Sequence, residues 1–163
     1  MNIALYLAII FIIVIFGLCY YKTRVKIPAG EFHVLVNRKN KKLKAMAGPK
    51  TYLYFPNKFA LFVLPAKVID CGTIEIEIKD KSGEKIKISF STKVKITIPQ
   101  KVVLFLPKPT KREIINFIRN QVRTFLFENE ITEVSKENFA KIEDDISKKL
   151  EKVGIDLVAF SRA

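Results

Sequence analysis

Few residues of this chain are of the types that bond chemistry uses. Histidine occurs once, as His33, and cysteine twice, as Cys19 and Cys71. A zinc centre draws on closely grouped histidines, cysteines and carboxylates, and two distant cysteines provide neither that set nor a disulfide framework. The candidate acids for proton transfer, Glu75 and Glu77, alternate with isoleucines and have lysines for neighbours. On the wet side of a strand they solubilise, because a catalytic pair needs burial to move its pKa values apart. No Gly-rich phosphate loop, nucleophile elbow or HExxH helix is present, so no catalytic residue, cofactor or metal is expected.

The residues with a clear physical consequence are instead apolar and basic. Ile3 to Tyr21 run for 19 positions without a charge, and Lys22, Arg24 and Lys26 follow at once. As a helix this stretch spans roughly 28 Å, close to the hydrocarbon thickness of a bilayer. Ile3, Leu7, Ile10, Ile13 and Phe16 would face lipid, with Tyr20 and Tyr21 at the headgroup boundary and the cations beyond them. A cleaved signal peptide fits poorly: no Lys or Arg precedes the run, the run is long, and no small-x-small site stands before Lys22. A lipoprotein reading of Cys19 is weaker still, since bulky Leu18 precedes the cysteine. The expectation is a retained single-pass anchor, and the cation bias places the folded part in the cytoplasm.

The net charge of +13 lies entirely after Tyr21. Solvated surface, anionic headgroups and nucleic acid are the three meanings such a charge can have. Nucleic acid is not expected, because single strands want exposed aromatics among the lysines, and the aromatic of the long hairpin, Phe90, falls on its apolar face.

Residues 22–163 suit one domain or two small ones in tandem. Phe32 to Asn37 has the content of a strand, Lys39 to Lys44 reads as an exposed hairpin tip, and Gly48-Pro49 marks a further reversal. Two short strands are expected within Thr51 to Val63. The clearest pattern is an alternation on either side of Asp80-Lys81-Ser82-Gly83, with Ile74, Ile76, Ile78, Ile86, Ile88, Phe90, Val94, Ile96 and Ile98 on one face, which predicts a hairpin with one greasy side. Pro99 ends it, and Pro107 and Pro109 punctuate a connection. Thr110 and Glu113 form a capping box ahead of a helix whose apolar stripe is Ile114, Phe117, Ile118, Val122, Phe125 and Leu126, with Arg112, Arg119 and Arg123 on the solvated side. A second helix follows Ser135 with Phe139, Ile142, Ile146, Leu150 and Val153 inward. Gly154 stops it, and Ile155 to Phe160 predicts a last strand.

The order of these features resembles the SPFH or band 7 family, the stomatin, prohibitin and flotillin group, along nearly the whole chain. The residues that carry the resemblance are Pro28, Ala29, Gly30 and Glu31 opening the first strand; Gly48-Pro49 and Phe55-Pro56; Lys79, Asp80 and Gly83 at the hairpin; Pro99 closing the alternating strand; and Gly154, Ile155, Asp156 and Leu157 at the end. The resemblance implies an α+β fold: an N-terminal transmembrane helix (1–26 with its basic flank), a mostly β first subdomain (27–98) and an α+β second subdomain (99–163), with antiparallel sheet and two packed helices. It also implies no catalysis. Family members assemble side by side on membranes, organise lipid microdomains and associate with membrane proteases. Relatives continue into a long coiled-coil helix, whereas this sequence stops at Ala163, so the resemblance does not carry a large closed cage.

The expected function is thus a membrane-anchored scaffold that self-associates laterally and organises lipids or a membrane protein such as a protease. The alternative is a tethered adaptor that binds a protease or other partner one-to-one. The expected membrane-surface contacts are Lys22, Arg24, Lys26, Tyr52, Phe55, Phe59 and Phe62, while filling of a small sheet core competes for the aromatics.

Overall fold

The computed structural model describes residues 3–79, 85–106, 108–129 and 135–163. The turn at Asp80 to Gly83 and Pro107 lie outside the described residues. Helix α1 (Ile3–Thr23) takes up the whole apolar run and is long and apolar enough to cross a membrane, with none of its Tyr6–Thr23 window buried in the protein. It ends at Thr23, whose hydroxyl donates to the carbonyls of Cys19 (2.9 Å) and Tyr20 (3.1 Å).

Strand β1 (Arg24–Ile27) begins at the next residue and pairs antiparallel with β4 (Lys50–Leu53). Strands β3 (Leu43–Ala47), β2 (Glu31–Asn37) and β5 (Phe59–Pro65) form a second antiparallel sheet in that order. β2 is buried through His33, Val34 and Leu35 without alternation, because both of its faces are covered. Val34 joins the main core, and Leu35 joins a smaller one with Ile27 and Met46, against which Tyr52, Tyr54, Phe59 and Leu61 pack.

The long hairpin is β6 (Ile69–Lys79) and β7 (Lys85–Ile96), and the last strand β8 (Ile155–Arg162) pairs with β7. A division of the folded part at residue 98 therefore cuts a sheet: the hairpin goes with the C-terminal helices, and the main core joins Val34 and Leu64 of the β3-β2-β5 sheet to it. Two helices cover the apolar face of this sheet. α3 (Lys111–Glu128) buries Ile114, Ile118, Val122 and Leu126, and α4 (Lys136–Lys152) buries Ile142, Ile146 and Leu150. Phe160 stacks between Phe90 and Phe139, each centroid 4.8 Å away, fastening α4 to the sheet.

Local signals behave as elementary chemistry dictates, with two departures. Thr110 Oγ1 accepts from Glu113 N (3.3 Å), but Thr110 N donates to the Lys108 carbonyl, so only half of the capping box forms. Ser135 caps α4 through Asn138 N, and the Glu137–Lys141, Asp144–Lys148 and Asp145–Lys149 pairs all form along it. The second departure is a further helix, α2 (Pro99–Phe105), where a connection was expected. Pro99 opens it in the first turn, where an N–H would have no partner within the helix. It packs on β2 and β3 and buries Val102, and Leu106 at its C-cap is buried too. Ile98 consequently leaves the alternation, caps α2 and is exposed, while Arg119 is half-buried rather than on the open face.

Candidate membrane-facing surface

Antiparallel pairing makes the chain return repeatedly to the end of α1. β1 leads away from Thr23, and β4 leads back, with Leu53 opposite Arg24. Tyr54 N then donates to the Thr23 carbonyl (2.7 Å), tying the β4–β5 loop directly to the last residue of the helix. β2 arrives at the same end through its pairing with β5, where Asn37 stands opposite Phe59 and Arg38 N donates to the Lys58 carbonyl (3.0 Å). Arg38 Nε donates to the Pro56 carbonyl (3.1 Å), so the β2–β3 tip leans on the β4–β5 loop.

The expected anchor residues Ile3, Leu7, Ile10, Ile13, Phe16, Tyr20 and Tyr21 are all exposed on α1. Lys22 is in its last turn, whereas Arg24 and Lys26 belong to β1 and are exposed along it. The basic flank is therefore divided between helix and sheet.

The four expected aromatics separate. Phe55 is exposed at 47% beside Leu53 at 41%, in the loop next to Thr23. Tyr52, Phe59 and Phe62 are instead half-buried, the first two packed against the small cluster and Phe62 against the main core. A sheet only three strands wide needs that filling more than it can spare apolar rings for lipid. Tyr52 is further held by a 3.0 Å hydrogen bond between its hydroxyl and His33 Nδ1, and burial, then Tyr54, pushes its phenol above the ordinary range. The other nitrogen of His33 lies 3.6 Å from Glu31 Oε2.

Pro28 and Ala29 are exposed, Gly30 turns the chain at φ +88°, and Glu31 opens β2. The motif Pro28 to Glu31 thus forms the β1–β2 connection, at the far end of the strands from α1.

Cys71 is buried and free, its thiol pushed up by burial ahead of the opposing pull of Lys111. Glu75 and Glu77 are exposed. Glu77 pairs with Lys85 (2.6 Å), which holds its carboxyl below the usual range. Among the described residues no three of His, Cys, Asp and Glu are grouped to hold a metal.

Sequence reasoning missed the cationic part of this surface. Residues 22–69 contain eleven Lys and Arg against Glu31 alone, a net +10 of the chain's +13. Arg38 and Lys58 are bonded into the loop that carries the exposed Phe55, and Lys39, Lys41 and Lys42 follow in the tip that Arg38 opens. The composition signal was available, but only strand pairing places the hairpin tip there. No protein-family model matches the chain, and no curated protein matches it.

Proposed function

We propose that this protein is a non-catalytic, single-pass membrane scaffold whose folded part sits against the cytoplasmic face of the bilayer, associates laterally with copies of itself, and holds lipids or a membrane protein such as a protease. One observation carries the reading: α1 passes into β1 with no intervening residue, and the Tyr54–Thr23 hydrogen bond fixes the fold to the helix end. A rigid tether gives every copy the same way up and confines encounters to a plane, which raises the effective concentration for lateral contact. Leu104 and Phe105 on α2 and Phe127 at the end of α3, exposed at 65%, 59% and 84%, supply apolar surface for such contacts. The band 7 resemblance of the motifs supports the same reading.

Cross-linking of the full chain in native membranes, followed by sizing in mild detergent, tests it. A ladder of multimers is expected, and it should weaken when Phe105 and Phe127 become serine. A strictly monomeric protein that captures one partner in equal amount would replace the scaffold with the one-to-one adaptor. Thiol labelling of Cys71 after unfolding, in sealed against opened cells, checks the side: labelling in sealed cells would overturn the cytoplasmic placement.

A further inference from the structure

The β2–β3 tip is built as a rigid cationic platform. Asn37 Oδ1 accepts from the backbone N–H of Lys39 (2.9 Å) and Asn40 (3.3 Å), and Asn40 Oδ1 accepts from that of Lys42 (3.1 Å). Lys41 takes a left-handed conformation at φ +58° with its N–H on the Asn37 carbonyl. A shallow recess opens between this tip and the β4–β5 loop, lined by Asn37, Arg38, Lys39, Asn40, Asn57 and Lys58. Three of the six lining residues are cations and none is acidic.

Elsewhere five lysines have an acid beside them: Lys85 pairs with Glu77, Lys93 with Asp70, and three lysines of α4 with acids one turn before them. At the tip, Arg38, Lys39, Lys41, Lys42, Lys44 and Lys58 form no ion pair among the described residues. Glu31, the single acid of residues 22–69, stands at the opposite end of β2, about 20 Å away at the rise of an extended strand. Like charges crowded without an acid repel one another, and a solvated face would have gained from interspersed carboxylates. Anions from outside the chain would relieve this crowding.

The position of the tip decides which anions. The hydrogen bonds from Arg38 to the β4–β5 loop and from that loop to Thr23 put the tip beside the end of α1, and the headgroup layer beyond the hydrocarbon is only about 6 Å deep. The geometry points to an anionic phospholipid surface as the ligand: Arg38, Lys39, Lys41, Lys42 and Lys58 engage headgroup phosphates and carboxylates, with the exposed Phe55 and Leu53 set into the interface between the cations. This rests on the reading of α1 as a membrane span. It goes beyond tethering, because it makes the scaffold select the charge of the lipids around it.

The test uses the full chain in vesicles of phosphatidylcholine alone or with phosphatidylserine. A dye is placed by Thr51→Cys, an exposed position of β4 outside the tip, in a Cys19→Ser background, Cys71 being buried, and energy transfer to headgroup-labelled lipid is measured. Transfer to labelled phosphatidylserine should exceed transfer to labelled phosphatidylcholine, and raised salt should diminish the difference. Each cation near an anionic surface is worth about fivefold, so Lys39, Lys41, Lys42 and Lys58→Gln together should cut the preference at least about tenfold. Lys87, Lys95, Lys136 and Lys152→Gln, with the same change in net charge, should leave most of it.

Equal loss in both variants, or no preference in the unmodified chain, overturns the inference. So does a preference abolished by free inorganic phosphate, or tip lysines that govern retention on RNA and not the lipid signal. Alkaline extraction separates the two readings. A chain washed from the vesicles overturns the span and the platform together, whereas a chain retained without lipid preference overturns the platform alone.

Discussion

Gly154→Ala should be among the most destabilising single-methyl additions to this fold, and the reason can be separated into two parts. Gly154 ends α4 at φ +82°, which costs an L-residue about 1 kcal/mol. A β-carbon there would also stand 2.5 Å from the Ile98 carbonyl oxygen and 2.9 Å from Ile98 Cβ, closer than such atoms approach. Relief requires the α4–β8 turn to move from the start of α2. That motion strains the bonds from Thr97 N and Ile98 N to the Gly154 carbonyl, both 3.0 Å. Two hydrogen bonds at about 1 kcal/mol each bring the total to about 3 kcal/mol. Gly72 provides the control, since it has φ +71° at the bulge of β6 but nothing within 4 Å of an added β-carbon, so Gly72→Ala should cost only the conformational part, about 1 kcal/mol. Thermal unfolding of the full chain in detergent, followed by circular dichroism, should show losses of about 9 °C and 3 °C, at about 3 °C per kcal/mol for a protein of this size. Gly154→Asn, which tolerates the left-handed conformation but keeps the β-carbon, should recover little. Equal losses at Gly154 and Gly72, or full recovery with asparagine, would refute the close-approach argument.

Ile146→Ala empties a fully buried site under α4 and should cost about 3 kcal/mol in denaturant unfolding. Cys71 should resist maleimide in the folded chain and react fully once it is unfolded. Its folded pKa is raised, so its contribution to stability is complete below the ordinary thiol value and is lost as pH rises through the folded one. The Glu77 carboxyl should titrate below a free glutamate in carbon-detected magnetic resonance and return upward in Lys85→Gln; because its pKa is depressed, the pairing is present above the unfolded value and lost as pH falls.

Much of the fold was legible because its signals are local. The 19-residue uncharged run produces a spanning-length helix whatever follows it, since helix length and side-chain polarity are properties of the segment. The alternation on β6 and β7, the cap residues Thr110 and Ser135, the stripes of α3 and α4 and the stop at Gly154 were likewise readable, each needing only a few neighbouring residues. What escaped depended on long-range contact. Pro99 looks like a strand terminator until Val102 and Leu106 have β2 and β3 to pack on. That Arg24 and Lys26 stand in a strand and not in the end of α1 depends on β4 arriving to pair with them. Tyr52, Phe59 and Phe62 look as suited to lipid as to a core, and only tertiary packing half-buries them, Tyr52 and Phe59 against the small cluster and Phe62 against the main one, while leaving Phe55 exposed.

The sequence by itself determined that an apolar helix leads into a basic α+β fold, because burial and charge are summed along the chain. Only the tertiary structure decided where that charge is placed. Antiparallel pairing brings Arg38 to Lys42 and Lys58, remote from Thr23 in sequence, back to the end of α1 and leaves Glu31 at the opposite end of β2. Distances across strands, and not along them, set the field at the candidate membrane face.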